Sequence, residues 1–266
     1  MSIGFAIYGV DDVSPVAVFE MAQRFFEKLN YPVTAAAFHK RIAPQRTADA
    51  ESLDLVEVEP DELRTALTVG EANDFRIYSE TGDSDPWFSS FGYTTESFGN
   101  FFCIDAQSEE CFKAAQDKFT CFVDEIALEV NFTYAIIYNV DKVSDAVWYA
   151  RGDNMKTLFP FESPVAFSHD TPGLYEGERT YEKTKLRMVY PVNYLNKNHM
   201  SICVDNTPLP EWIAMNPERG TLMNISEKIR WTVPESALLE VNKSCGASGA
   251  LLAWMPEKIK KRPKLP

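Results

Sequence analysis

The sequence has few cysteines and histidines and no long apolar run. Its 266 residues include five cysteines and three histidines, and no two cysteines have the CxxC spacing. An odd cysteine count without such spacing predicts neither a disulfide framework nor a zinc site, and it favours a reducing compartment. No stretch of 18 apolar residues occurs, so no membrane insertion is predicted.

The N-terminal stretch 1–10 is apolar but carries no basic residues, and two aspartates follow it directly. A secretory signal would begin with a positively charged segment. The stretch therefore predicts a first β-strand over residues 3–10 rather than a signal peptide, and the protein is expected to be cytoplasmic.

The motifs of common cofactor and catalytic sites are also missing. The sequence has no glycine-rich phosphate loop, no nucleophile elbow and no metalloprotease motif. No histidine pair has metal-ligand spacing on a helix. We therefore predict no cofactor, no metal and no catalytic constellation. The three histidines are His39, His169 and His199.

Two aspartate pairs and two cysteines are candidates for a metal site, a catalytic base or a nucleophile. Asp11-Asp12 follows the first predicted strand, where an enzyme could hold a metal or a base, but aspartate also favours turns. Asp83 and Asp85 alternate as at the start of a calcium loop, yet the distal glycine and glutamate are missing. Cys103 at a strand end and Cys111 in the first turn of a helix could be nucleophiles. Solvated turns and buried small residues are the favoured interpretations.

Clear secondary-structure signals fill the first half of the chain. Strands are predicted over 74–79, 86–93, 100–105 and 133–140, and residues 39–58 are predicted to be polar and irregular. Helices are predicted over three segments, from apolar spacing and capping residues: 14–29 begins at Ser14-Pro15, 60–70 ends at Gly70, and 108–130 begins at Ser108.

The second half gives weaker signals. Strands are predicted over 164–168, 186–190, 200–204 and 250–254, with a hairpin over 221–233 and a short helix over 208–216. A last helix is predicted from Pro234 to a left-handed cap at Gly246. The whole pattern predicts an α+β fold with mainly antiparallel sheets packed against amphipathic helices. We expect two halves, 1–154 and 155–266, that could pack as one continuous unit.

Charge is distributed unevenly along the chain, whose net charge is −13. Residues 1–154 carry a net −16, whereas residues 155–266 carry a net +3, and the segment 49–129 alone holds 20 acids against 4 bases. Such a balance repels nucleic acid phosphates, so no nucleic acid partner is predicted. It suits a basic protein partner, although a long solvated surface also collects acids.

Aromatic side chains lie within the acidic segment. Trp87 and Phe88 lie at the start of one predicted strand, and aromatic residues often anchor protein interfaces. Core packing is the alternative explanation for them. If the segment binds a partner, eight residues are its candidate contacts. They are Glu57, Glu59, Asp61, Glu62, Asp83, Asp85, Trp87 and Phe88.

The C-terminal third carries a resemblance to a known class of protein. Val189–Leu195 is followed by Leu209–Ile213, Glu218–Leu222, Trp231–Pro234 and Leu251–Trp254. This order, over roughly residues 186–254, resembles bacterial immunity proteins associated with type VI secretion effectors. The resemblance implies a protein without enzymatic activity that binds and neutralises a cognate toxin, commonly encoded by an adjacent gene. It carries over no individual functional residue.

Three hypotheses follow from the sequence. The first is an immunity-type inhibitor that binds a basic toxin, since acidic inhibitors steer basic partners electrostatically. The second is a structural or adaptor protein of a secretion system. The third is an enzyme whose active site is dispersed along the chain, which a pocket holding two ionisable groups would favour.

Overall fold

The computed structural model of the chain describes residues 2–10, 12–42, 52–80, 86–95, 101–153, 155–170 and 181–256. The strands within these ranges are β1 (Ser2–Tyr8), β2 (Ala35–Ile42), β3 (Ser52–Val58), β4 (Phe75–Ser79), β5 (Ser89–Thr94), β6 (Cys103–Ser108), β7 (Tyr134–Val140), β8 (Val192–Leu195), β9 (Cys203–Val204), β10 (Thr207–Pro208), β11 (Thr221–Ile225) and β12 (Lys228–Thr232). The α-helices are α1 (Pro15–Leu29), α2 (Pro60–Val69), α3 (Phe112–Glu129), α4 (Val143–Arg151), α5 (Pro164–Asp170), α6 (Leu209–Ala214) and α7 (Leu238–Ala247).

Ten strands form one sheet in the order β11-β12-β8-β7-β1-β6-β5-β4-β2-β3, and β9 pairs with β10 separately. Each neighbouring pair in the large sheet is antiparallel. The predicted α+β class with antiparallel strands is confirmed. The β7–β8 pairing, in which Ala135 lies opposite Tyr194, carries the sheet across position 154. The division of the chain into two halves stays a prediction.

One face of the sheet packs against α1, α2 and α3. Its centre, here called the phenylalanine core, is five buried rings from two helices and two strands: Phe5, Phe25, Phe91, Phe119 and Phe122. The rings meet mainly edge to face, with centroids between 5.2 and 6.3 Å apart. Such pairs add to the stabilisation from burial. The apolar spacing of α1 and α3 in the sequence matches this face.

The other face packs against α4 to α7 and the segments between them. Its centre, here called the tyrosine core, holds six buried tyrosines: Tyr8, Tyr134, Tyr138, Tyr149, Tyr181 and Tyr190. Strand alternation explains the division between the cores, because Phe5 and Ile7 point to one face while Ala6 and Tyr8 point to the other. Burial of a hydroxyl is favourable only with a hydrogen-bond partner, and among the described residues five of these six hydroxyls have one, whereas that of Tyr181 does not.

Several predicted elements are confirmed. Ser14 accepts a hydrogen bond from the backbone N–H of Ala17 at 3.2 Å and caps α1, whose first residue is Pro15. Gly70 ends α2 in the left-handed conformation. The hairpin over 221–233 forms as β11 and β12, and the short helix near 208–216 forms as α6.

In the first half, several predictions are wrong at their boundaries. The strands predicted over 86–93 and 100–105 form as β5 and β6, which begin at Ser89 and Cys103. The stretch 39–58 is not irregular throughout, because it contains the end of β2 and all of β3. Charged side chains on this edge of the sheet obscure the strand pattern in the sequence. The third helix begins at Phe112 rather than Ser108, since Ser108 is the last residue of β6. The sequence analysis also missed α4.

In the second half, corrections are larger. Residues 164–168 belong to helix α5, which begins at Pro164 and in which the Ala166 N–H donates to Ser163 Oγ at 3.2 Å. Segments 186–190 and 250–254 form only isolated bridges, one between Leu186 and Leu251 and one between Glu162 and Trp254. Residues 200–204 combine the end of a short 3-10 turn with the two-residue strand β9.

Gly246 is not the predicted left-handed cap. It lies inside α7, and a Cβ atom there would overlap the ring of Trp254. The helix therefore needs glycine at 246 for close packing, and the positive φ occurs instead at Gly249, where φ is 74°.

Candidate functional site

Four carboxylates line one cleft of about 660 Å³ at the β3 edge of the sheet. The cleft is here called the acidic cleft. Its acidic residues are Glu57, Glu59, Glu62 and Glu80. Its other lining residues are Thr34, Ala35, Ala36, Ala37, Leu55, Val58, Tyr78, Pro86 and Trp87. None of these lining residues is a lysine or an arginine, so the cleft has an unbalanced negative charge.

The register of the sheet sets the floor of the acidic cleft. Glu57 of β3 lies opposite Ala37 of β2, and Tyr78 of β4 lies opposite Ala35. Residues directly opposite share a face of the sheet, and alternate residues of a strand share it as well. Because alanines separate the two longer side chains, an open floor remains between Glu57 and Tyr78.

The ends of two elements supply the other carboxylates. Glu59 is the N-cap residue of α2 and Glu62 lies in its first turn, where the positive end of the helix dipole favours acids. Glu80 follows the last residue of β4. The acidic cleft therefore collects acids from a strand, a helix start and a strand end.

The four acids of the cleft form no ion pair with any side chain that the structure describes. Among the described residues, no lysine or arginine lies within 4.0 Å of their carboxylate oxygens. By contrast, Glu129 makes a two-pronged pair with Arg24 at 2.7 and 2.6 Å. Burial raises the pKa of Tyr78, and the negative charges of Glu57 and Glu80 contribute to that rise. The negative charge of the four carboxylates can therefore attract a cation into the cleft.

Trp87 forms one wall of the acidic cleft. Its ring packs on Tyr78 with centroids 5.0 Å apart. The indole Nε1 is shielded from solvent and has no hydrogen-bond acceptor within the part of the chain that the structure describes. An aromatic wall beside carboxylates is a favourable environment for a lysine or arginine side chain.

The predicted contact residues are only partly brought together. Glu57, Glu59, Glu62 and Trp87 share the acidic cleft, whereas Asp61 is exposed on α2 and does not line it. Phe88 packs instead against the ring of Tyr31, with centroids 4.9 Å apart. Asp83 and Asp85 lie outside the described residues.

A smaller pocket of about 230 Å³ adjoins the acidic cleft and shares Tyr78 and Trp87 with it. In this adjoining pocket His39 Nδ1 lies 2.7 Å from Asp74 Oδ2, and the His39 backbone N–H donates to Asp74 Oδ1 at 2.9 Å. Asp74 is almost fully buried. The carboxylate therefore fixes both the backbone and the ring of His39.

Arg76 also lines the adjoining pocket, but it is held by another carboxylate. Its Nη2 atom donates to both oxygens of Asp105 at 2.8 and 2.7 Å, and Asp105 is fully buried. Gly92 makes room for this pair, because a Cβ there would overlap the guanidinium. The charge of Arg76 is therefore balanced by Asp105 inside the fold.

Sequence reasoning missed Glu80, Tyr78 and the His39–Asp74 pair. The pair is 35 residues apart in the chain. Only the β2–β4 pairing and the turn before β4 bring the two residues together, and no local motif signals that contact. Glu80 could have been included, since it lies within the same acidic segment as the predicted residues.

Cys103, Cys111 and His199 line neither the acidic cleft nor the adjoining pocket, and the side chain of His169 lies outside the described part of the structure. Cys103 begins β6 rather than ending a strand, and burial raises its pKa well above the usual value. Cys111 is the exposed N-cap residue of α3. His199 is fully buried in a capping box with Asn196, and burial lowers its pKa to about 4.

Within the described ranges, no group of three or more histidine, cysteine or carboxylate side chains could hold a metal ion. No helix within those ranges has both the length and the apolar character needed to cross a bilayer.

Comparison with known proteins gives a likeness at the level of structure. No protein-family model matches the chain, and no curated protein sequence matches it. A solved structure described as the Pseudomonas aeruginosa T6SS protein PA0821 superposes with a TM-score of 0.50 at 10% identity, over 97% of this chain and 76% of that chain. At this identity the likeness shows a shared fold.

Proposed function

We propose that this protein is an immunity-type inhibitor that binds a basic segment of a cognate toxin in the acidic cleft. The observation that carries the proposal is the set of four unpaired carboxylates beside Trp87 and Tyr78. Cationic side chains are recognised by this combination of negative charge and aromatic faces. The same negative field would accelerate the approach of a basic partner.

The shared fold agrees with this proposal at a coarser level. The structural neighbour is described as a T6SS protein. The resemblance of residues 186–254 to immunity proteins leads to the same class. We infer a role related to type VI secretion, in the cytoplasm, with the partner encoded beside this gene.

The direct test is protection from toxicity. The product of the adjacent gene is expressed alone and together with this protein in a susceptible host, and the pair is also tested by affinity capture. The proposal predicts growth only on co-expression, together with a captured complex. A triple variant, Glu57→Lys, Glu59→Lys and Glu62→Lys, should lose protection.

A matched control separates the acidic cleft from net charge. Reversal of Glu27, Asp117 and Glu211 to lysine changes the net charge equally, and these exposed acids do not line the cleft. Protection should survive in this control. Equal protection by both triple variants would contradict the acidic cleft as the binding site.

Two other functions have specific observations in their favour. The description of the structural neighbour as a T6SS protein also suits a structural or adaptor role in the secretion apparatus. The His39–Asp74 pair in the adjoining pocket suits an enzyme, because a carboxylate-oriented histidine can act as a general base. Loss of protection in His39→Gln, with toxin binding intact, would favour the enzyme.

A further inference from the structure

A second cleft, lined by lysines, lies far from the acidic cleft. It has a volume of about 490 Å³ and is here called the lysine cleft. Its charged lining residues are Asp12, Lys183, Lys197, Glu227 and Lys228. Lys228 begins β12, six strands from β4 in the sheet, which corresponds to about 29 Å at a strand spacing of about 4.8 Å. The two clefts are therefore separate sites.

Lys228 is the unusual residue of the lysine cleft. It is only 4% exposed, and its Nζ donates to Asn131 Oδ1 at 2.8 Å and lies 4.9 Å from the centroid of the Phe132 ring. Both neighbours are uncharged. Burial of an ammonium group without a counter-ion is unfavourable, and burial accordingly lowers the pKa of Lys228.

No described carboxylate forms an ion pair with Lys228, although the charge of Glu227 favours its ammonium form and the charge of Lys197 opposes it. Glu227 forms an ion pair with Lys197 at the surface of the cleft. No carboxylate of the described residues lies within 4.0 Å of the Nζ atom of Lys228 or Lys183. Asp12 is an exposed carboxylate that opposes anion binding, but the lining still holds three lysines against two acids.

This balance follows the net charge of +3 carried by residues 155–266, which supply all three lysines of the cleft. No arginine lines the lysine cleft, so a planar fork for a carboxylate is missing from its lining. Two point charges, together with the side chain of Asn198, better suit a tetrahedral oxyanion, for which lysine is a common ligand.

From the buried Lys228, which has no ion-pair partner among the described residues, and from Lys183 in the lining of the same cleft, we propose that the lysine cleft binds a phosphate group, either as free phosphate or as a phosphomonoester. The group would lie between the two ammonium groups. This proposal is independent of the toxin-binding function, since the two clefts share no lining residue.

Ligand titrations of the full chain test the proposal. Inorganic phosphate and glycerol 3-phosphate are added at constant ionic strength and pH, with sodium chloride as the balancing salt, and amide chemical shifts are followed by NMR. Saturable shifts at Asn131, Lys183 and Lys228 are expected. Tighter binding of glycerol 3-phosphate would identify a phosphomonoester as the ligand, and weaker binding would identify free phosphate.

Three variants make the test specific. Lys183→Met and Lys228→Met should each weaken phosphate binding about tenfold, the effect expected when one charge-assisted hydrogen bond is lost. Lys185→Met removes an exposed lysine from the same segment but outside the lysine cleft, and it should change affinity less than about twofold.

Lys183 is exposed, so its variant is informative even if Lys228→Met fails to fold. Unchanged affinity in Lys183→Met would overturn the proposal. Equal responses of the wild-type chain to phosphate, acetate and chloride would also overturn it, because they would show general screening rather than a site.

Discussion

The two faces of the sheet bury different kinds of aromatic ring. On one face the phenylalanine core requires only close packing, whereas on the other the tyrosine core must satisfy a buried hydroxyl on nearly every ring. Tyr138 donates to the Ala146 carbonyl at 2.8 Å, and Tyr8 donates to the Ala150 carbonyl at 2.8 Å. The second core therefore depends on the exact placement of α4, and the first does not.

A buried charge increases this difference. Arg187 is fully buried in the tyrosine core, between the rings of Tyr149 and Phe167 at 3.9 and 4.0 Å from their centroids. It donates to the Tyr149 carbonyl at 2.6 Å, and its Nε lies 3.8 Å from Glu162 Oε1. The face with the phenylalanine core is therefore stabilised by apolar packing, and the face with the tyrosine core by a polar network.

The largest predicted effect concerns the phenylalanine core. Phe119→Asp should leave the protein unfolded or insoluble, because Phe119 is fully buried and an unpaired carboxylate there costs several kcal/mol. Soluble yield and the melting curve measure this. Lys118→Asp, on the exposed side of the same helix, is the control and should remain folded. A soluble Phe119→Asp variant with an unchanged melting curve would show that this core is dispensable.

The next effect concerns the tyrosine core. Arg187→Met should lower the free energy of unfolding by about 3 to 5 kcal/mol, since it leaves the Glu162 carboxylate buried without its cation. Urea unfolding measures the change. The double variant Arg187→Met with Glu162→Gln should recover part of the loss, because it removes the orphaned charge. A loss below about 1 kcal/mol in the single variant would contradict the importance of the network.

A smaller effect depends on pH. His199 packs beside Tyr134, with ring centroids 5.5 Å apart, and burial lowers its pKa from 6.5 to about 4. The unfolded chain then binds a proton that the folded chain does not, so stability should fall as the pH falls from 6.5 towards 4. The expected loss at pH 5 is about 2 kcal/mol relative to pH 7.5.

The control for this prediction is His199→Gln, which cannot take up that proton. Its stability should depend less steeply on pH between 4 and 6.5 than that of the wild type. If the two pH profiles have equal slopes, His199 does not account for the acid sensitivity.

A still smaller change in stability is predicted at the acidic cleft, where the effect should be on binding. Trp87→Ala should raise the dissociation rate of the cognate toxin about tenfold, since central aromatic residues often dominate an interface. Phe88→Ala is the matched control, because Phe88 packs on Tyr31 and does not line the cleft. Equal dissociation rates for the two variants would contradict the role of Trp87.

The two cores also differ in how far they could be predicted from the sequence. The helices of the phenylalanine core were recognised because Phe112, Phe119, Phe122 and Ile126 follow a helical period. The tyrosine core could not be recognised from the sequence, because contacts such as that of Tyr8 with Arg187 join residues that are 179 positions apart. The α+β class was predictable from local patterns, whereas the hairpin β2–β3 was hidden by polar side chains on its exposed face.

The candidate site shows the same limit. Local charge density identified Glu57, Glu59 and Glu62, and the nearby Trp87 was chosen as an aromatic neighbour. The sequence could not show that Phe88 turns towards Tyr31 or that Asp61 points away from the cleft, because these directions depend on the register of β3 and on the start of α2. Contacts across strands, such as His39 with Asp74, require the fold itself.

Binding of the toxin in the acidic cleft is tested most directly by the association rate of the cognate toxin with three proteins, measured at low and high salt. These are the wild type, the acidic-cleft triple variant and the control triple variant of equal charge. If the acidic cleft attracts a basic partner, wild-type association should slow as the salt concentration rises, because exposed charges are screened over about 8 Å at physiological ionic strength. The cleft variant should be slow at both salt concentrations, and the control should resemble the wild type. Wild-type association that is indifferent to salt, or equal slowing in both variants, would contradict the acidic cleft as the binding site.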